Sequence, residues 1–348
     1  MSAQRLADVG EFGFLSHLLP QLSASDPCVR IGVGDDAAVV DVDAPLVLTT
    51  DALVAGTHFQ PGWLSPYQIG RRAYLVNASD IAAMGARPRW CLVSLGAPHD
   101  TAERDLLRLM LGVRDAAAEH DATVIGGNVT LSPVLFVSLT LLGTAAAQPI
   151  ARSGGNVGDR LYVSGELGGA ATAVRALLAG TPIGARSRAR RAYAEPPARV
   201  QLGARLAASG VVSAMIDISD GLLQDLEHIC DLSRVGARLD IDNVPVFAPG
   251  SRRPSAAAIE QALRGGEDYE LLFTVPPAKA SRVEQIGSEV GCRLTQIGIL
   301  TQEHGIVAAD GRRLGAAGAA GGYDHYRRGR SRRRAPGREL GKDGRHGS

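Results

Sequence analysis

The sequence predicts an α/β (α+β) protein with mixed sheets flanked by helices, built as two domains and a basic tail. Three observations lead there. The chain has 348 residues, and at roughly 100–200 residues per domain that is about two domains with ample core. Short apolar runs alternate with segments of helical period. The composition is 45% hydrophobic and only 4% aromatic, as in a globular chain, yet a net charge of +1 conceals a sharp break near residue 327.

In the first block, the apolar runs Leu46–Thr50, Trp90–Leu95, Ala122–Ile125 and Val134–Gly143 have strand length. Pro66–Met84, Thr101–His120 and Leu167–Leu178 repeat apolar residues at helical spacing. The Gly- and Ser-rich stretch 151–159 marks a joint, giving domains 1–150 and 151–326. In the second block, Asp159–Ser164, Ala214–Ile218, Ala237–Ile241, Leu271–Val275 and Thr295–Leu300 read as strands. Ala198–Ser209, Gly221–Ser233 and Pro277–Val290 read as helices. No short-period repeat is present.

Residues 327–348 hold nine Arg or Lys and two Asp or Glu, a net of +7, which leaves 28 basic and 34 acidic residues and a net of −6 for 1–326. The tail has almost no apolar residues to offset its ordering entropy, so it reads as a disordered extension. Nucleic acid is therefore not the expected partner of the body. The cysteines Cys28, Cys91, Cys230 and Cys292 are too far apart for a CxxC-type metal site and read as reduced thiols of a cytoplasmic protein. Asp8 and Glu11 interrupt the apolar N-terminal stretch, which excludes a signal peptide. The run Val134–Ala147 is shorter than the roughly 20 residues of a membrane span. Lysine occurs only at 279 and 342, neither within a Walker A loop. If the chain handles phosphates, metal ions, arginines and backbone amides must neutralise them.

The chemistry lies in carboxylates at the ends of apolar runs. Gly34-Asp35-Asp36 joins flexible backbone to paired acids. Thr49-Thr50-Asp51 closes a strand, and Gly56-Thr57-His58-Phe59 follows it. Asp80 interrupts an apolar helical pattern and needs a cationic partner. In Met215-Ile216-Asp217-Ile218-Ser219-Asp220-Gly221, plain helix capping accounts for Ser219 or Asp220 but not for Asp217. Each feature alone also fits a turn or cap. Together they are converging acids, which repel unless cations lie between them. Mg²⁺ suits such oxygen ligands, so the residues point to Mg²⁺-dependent phosphoryl transfer or phosphate binding.

With Gly126-Gly127-Asn128, Gly265-Gly266-Glu267-Asp268-Tyr269-Glu270-Leu271 and Gly322-Tyr323-Asp324-His325, these segments resemble the thiamine-monophosphate kinases of the aminoimidazole ribonucleotide synthetase superfamily. The likeness runs in order from about Glu11 to Tyr326. It implies the two-domain fold of that superfamily and transfer of a phosphoryl group from ATP to thiamine monophosphate. It also implies several Mg²⁺ ions, a homodimer formed by the N-terminal domains, and neither membrane nor nucleic-acid partners. By the same resemblance Asp36, Thr49, Thr50, Asp51, Asp80, Asn128, Asp217 and Asp220 hold metal. Gly127, Asn128, Arg152 and Ser219 contact ATP, and His58, Glu267 and Tyr323 contact the thiamine side. Asn128 departs from the family, which often has Asp there, and this puts the number of ions in doubt. The competing reading is a non-catalytic nucleotide- or metal-binding protein that uses its tail on nucleic acid, supported only by Asn128 and the tail.

Overall fold

The computed structural model describes residues 5–22, 26–31, 38–184, 186–251 and 253–314. Asp36, Tyr323 and the tail 327–348 lie outside the described residues. In the first half the elements are α1 (Leu6–Leu22), β1 (Val29–Ile31), β2 (Val39–Val40), β3 (Leu46–Val54), α2 (Pro66–Ala83), β4 (Arg87–Ala97), α3 (Glu103–Ala118), β5 (Thr123–Leu131) and β6 (Phe136–Thr144). Strands β3 to β6 form one sheet in the order β3-β6-β4-β5, antiparallel except for the pair β4 and β5.

Helix α2 starts sharply. Ser65 and Gln68 form a reciprocal capping box, and Pro66 occupies the first turn, where its missing N–H costs nothing. Along β6, Val137, Leu139 and Leu141 are fully buried beneath the helices. The alternate residues face the other way, as the pleat requires. Among the described residues that second face is exposed: Leu48 is 61% accessible and Leu92 37%.

The second half contains β7 (Arg160–Ser164), α4 (Gly169–Leu178), α5 (Arg188–Ala194), α6 (Val200–Ser209), β8 (Ala214–Asp217), α7 (Leu222–Ser233), β9 (Gly236–Leu239), α8 (Ala256–Arg264), β10 (Leu271–Val275), α9 (Ser281–Glu289), β11 (Leu294–Thr301) and β12 (Gly305–Ala308). Its sheet runs β12-β9-β11-β7-β10-β8, with only β12 parallel to its neighbour. Tyr162 and Phe273 stack on one face, with centroids 5.6 Å apart, and join a core continuous with that of the first half. Leu161, Val163 and Leu272 point to a separate core on the opposite face.

Mixed sheets with flanking helices are thus the architecture that the pattern predicts. Several expected boundaries moved: the strands expected over 46–50 and 90–95 run over Leu46–Val54 and Arg87–Ala97. The strand expected over 122–125 continues through Gly126-Gly127-Asn128 to Leu131, because parallel pairing with β4 carries it on. A Cβ at Gly127 would stand 2.1 Å from the Val93 carbonyl oxygen, so the glycine there serves strand packing. The helix expected over 277–290 is broken into a 3₁₀ turn, Pro277–Lys279, and α9. Helices α1, α5 and α8 and strands β1, β2 and β12 had no sequence expectation.

The halves meet where α2 packs on α6 and β8. A Cβ at Gly203 would lie 2.1 Å from the Ala82 carbonyl oxygen. Gly203→Val is therefore expected to destabilise the protein by about 1–3 kcal/mol or more through overpacking. The shift of the urea midpoint measures this, and an unchanged midpoint would show that the seam is loose.

Candidate active site

A cavity of about 580 Å³ opens between the halves. The first half contributes Asp51, which lies inside β3 and does not close it, since pairing with β6 carries the strand on to Val54, and Thr57, His58, Gln60 and Trp63 from the loop that follows. The second half contributes Ser219 and Asp220 after β8, Gly266, Glu267 and Tyr269 before β10, and one side of α4. The α4 side includes apolar Ala171, Val174 and Leu178 with Arg175 among them, so one wall is largely apolar with a single cation and the other is acidic.

Behind Asp51 the acids close up across the seam. The Thr49 hydroxyl donates to Asp80 Oδ2 at 2.7 Å, and the Ser79 hydroxyl donates to Asp217 Oδ2 at 2.7 Å. Both Ser79 and Asp80 belong to α2, so one helix turn touches the middle of β3 in one half and the end of β8 in the other. Burial raises the pKa of Asp80, and the charge of Asp51 adds to it, against the Thr49 hydrogen bond and Arg152. Burial pushes Asp217 up to about 7, with Asp80 acting in the same direction and Ser79 and Arg152 opposing. Arg152 is thus the cation felt by both acids.

Asp225, with no sequence expectation, completes the series. Its Oδ2 accepts the backbone N–H groups of Asp220 and Gly221, each at 3.1 Å. It does the capping that Ser219 or Asp220 alone would have explained, and so fixes the loop that presents both to the cavity. Burial pushes Asp225 up to about 8, helped by the charges of Asp217 and Asp220. An acid in the first turn of a helix was its only sequence signal.

The segment 265–271 alternates its side chains. Glu267 and Tyr269 have left-handed backbones, at φ 71° and 51°, and turn toward the cavity. Their N–H groups donate to the carbonyls of Ser219 at 2.7 Å and Ile218 at 2.8 Å. Asp268 and Glu270 point away from the cavity. Asp268 accepts the Gly168 N–H at 2.8 Å, before α4, and Glu270 takes both Arg199 nitrogens, at 2.6 and 2.7 Å. Strain at two consecutive non-glycine positions of one face is a mark of a constrained functional segment.

His58 sits on the cavity wall, and its Nδ1 accepts the Val54 N–H at 3.0 Å. In the neutral ring the proton is then on Nε2. The structure does not bring every expected residue to the cavity. Thr50 donates its hydroxyl to the Leu139 carbonyl at 2.9 Å. Gly127 and Asn128 lie on β5, with β6 and β4 between them and β3, and Asn128 shares its register with exposed Ser94 on the open sheet face.

Among the described residues, no group of three His, Cys, Asp or Glu side chains is placed to hold a metal ion. The donor chemistry nevertheless fits a hard cation. The donors are all oxygens, and the buried carboxylates raise one another's pKa for want of positive charge.

Residues 34–145 match the family model described as AIR synthase related protein, N-terminal domain, and residues 156–311 match the C-terminal domain of the same family. The thiamine-monophosphate kinase of Haemophilus influenzae is 31% identical over 329 residues, covering 92% of this chain and 98% of its own. The crystal structure of thiamine-monophosphate kinase from Stenotrophomonas maltophilia K279a superposes with a TM-score of 0.78 at 35% identity, covering 86% of this chain and 96% of that one. A structure described as AaThiL complexed with AMPPCP and TMP gives a TM-score of 0.70 at 29% identity, over 94% and 100% of the two chains.

The acid series has a consequence for metal-free protein. Asp217 and Asp225 bind a proton more tightly folded than unfolded. Their stabilising contribution is full below the ordinary carboxylate pKa of about 4 and is lost as pH rises through about 7 and about 8. In EDTA the urea midpoint should fall as pH rises from about 5 to about 8, and Asp225→Asn should flatten that fall. An equal fall in the variant would place the slope elsewhere.

Proposed function

The chain belongs to the AIR synthase related family, among its thiamine-monophosphate kinases, and from that membership we propose that it transfers the γ-phosphoryl group of ATP to thiamine monophosphate, forming thiamine diphosphate and ADP. The observation that carries this reading is the cavity between the halves, acidic on one side and largely apolar on the other. The acids suit the phosphate end of the reaction, and the apolar wall suits the heterocycles.

Phosphoryl transfer asks mainly for positioning and charge neutralisation. The attacking group is a terminal phosphate oxygen of the substrate, which is already ionised, so no protein base is needed. We assign the holding of Mg²⁺ to Asp36, Thr49, Thr50, Asp51, Asp80, Asn128, Asp217 and Asp220. When bound, Mg²⁺ supplies positive charge to the phosphate oxygens. Arg152, already the cation beside Asp80 and Asp217, offers a forked donor to a phosphate. With it, Gly127, Asn128 and Ser219 are assigned to ATP, and His58, Glu267 and Tyr323 to the thiamine side. Asp225 keeps Ser219 and Asp220 in place through their loop.

The same reading makes 1–150 the nucleotide and pairing unit and 151–326 the second unit of a cytoplasmic enzyme. The open sheet face supports a homodimer. Leu48 and Leu92 lie there among polar residues, and an exposed sheet face of this kind is a surface for a second copy. In the described residues no helix is long and apolar enough to cross a membrane.

Purified protein given ATP, Mg²⁺ and thiamine monophosphate is expected to form thiamine diphosphate, read by chromatography. ATP binding without diphosphate formation would overturn the assignment. Asp51→Ala and Asp217→Ala should each lose about 100-fold or more in kcat, as removal of an electrostatic stabiliser does, with folding checked by circular dichroism. Near-normal rates in both would reject the metal assignment. The double change Leu48→Glu with Leu92→Glu should give a monomer in sedimentation, and an unaltered dimer mass would move the interface elsewhere.

A further inference from the structure

Arg72 is a charged residue in the middle of α2, with 0% of its surface exposed. Its Nη2 donates to Glu267 Oε1 at 2.5 Å, and its Nη1 donates to the Tyr193 carbonyl. The guanidinium carbon lies 4.5 Å from the centroid of the Tyr193 ring and 5.7 Å from that of Tyr269. Nε has no hydrogen-bond partner. Burial opposes this charge, and Glu267 is the foremost group that sustains it, followed by the two tyrosines.

Glu267 and Tyr269 are also cavity wall, so the cation lies directly beneath the surface that a ligand meets. The Glu267 side chain keeps 30% exposure. Its backbone is pinned by the N–H bond to the Ser219 carbonyl at 2.7 Å, and its carboxylate by Arg72. A guanidinium keeps its proton at any physiological pH. The Glu267 carboxylate is thereby held as the acceptor of a charged donor. The wall shows the ligand an acceptor whose polarity cannot invert.

We propose that Arg72 is a positioning residue that sets specificity: by holding Glu267 as a fixed acceptor, it selects a substrate whose ring presents an amino donor over one presenting an oxo group. This rests on the kinase reading above. Thiamine monophosphate carries such an amino group on its pyrimidine, and its 4-oxo counterpart, oxythiamine monophosphate, carries an acceptor at that place. Two acceptors facing each other repel, and the outward carboxylate oxygen loses the hydrogen bond that an amino group would give it, which a hydrogen-bonding site penalises strongly. A purely structural Arg72, tying α2 to the second half, would affect both substrates equally.

The test compares kcat/KM for the two acceptors at saturating ATP, in the full chain and in Glu267→Gln, Arg72→Met and Arg72→Lys. The wild-type chain is expected to prefer the amino substrate by about 100-fold. Glu267→Gln, whose amide can also donate, should cut that ratio by about tenfold or more. Arg72→Met should do the same, and Arg72→Lys, which retains a cation beside Glu267, should restore most of it. If Arg72→Met does not fold, Glu267→Gln and Arg72→Lys carry the comparison, since they keep the shape or the charge. A ratio unchanged in Glu267→Gln, or unchanged in a folded Arg72→Met, overturns the proposal. Turnover of thiamine monophosphate by the wild type with no discrimination overturns this inference alone. No turnover by the wild type removes the kinase reading and this inference with it.

Discussion

Helix α2 carries a guanidinium, a hydroxyl and a carboxylate into the seam between two sheets, where water does little to solvate them. Everything else accommodates that burial. Arg72 reaches Glu267, Ser79 reaches Asp217, and Asp80 takes the Thr49 hydroxyl. Each partner comes from a different element, so satisfying one helix fixes the mutual placement of β3, β8 and the segment before β10. A buried polar group costs free energy unless bonded, and here the bonds themselves build the site.

The two charge types are handled differently. The cation is enclosed completely, between aromatic rings and one carboxylate. The carboxylates are left electrostatically uncomfortable: burial raises Asp80, Asp217 and Asp225, and a neighbouring carboxylate adds to it in each case, Asp51 for the first, Asp80 for the second, and Asp217 with Asp220 for the third. A site held in that state favours whatever positive charge reaches it. This is a sound starting point for phosphate chemistry in a chain with only two lysines.

Asp80 and Asp217 stood out because an acid inside an apolar run contradicts its surroundings, and Asp51 because it follows the run Leu46-Val47-Leu48 after two threonines; both signals are visible locally. The fold class was legible for the same reason, as the period of the apolar residues. Arg72 and Asp225 were not. Arg72 meets its partner 195 residues away, and an arginine on a helix reads as surface until the neighbour is known. Asp225 looks like an ordinary first-turn acid, and only the folded loop shows which N–H groups it takes. The extension of β5 was hidden because glycines that read as a loop prove to be demanded by a parallel neighbour. Weakly periodic or short elements, α1 and α5 among them, gave too little pattern to separate helix from loop.

The close seating of Gly203 on the Ala82 carbonyl has a bearing on how substrates enter and leave. A core continuous across the seam makes hinge opening costly, since rotation would expose apolar surface that is now shared. A ligand therefore reaches acids whose register across the seam is already set, past a rim where Trp63 is itself tied down by the Tyr193 ring and by Arg190.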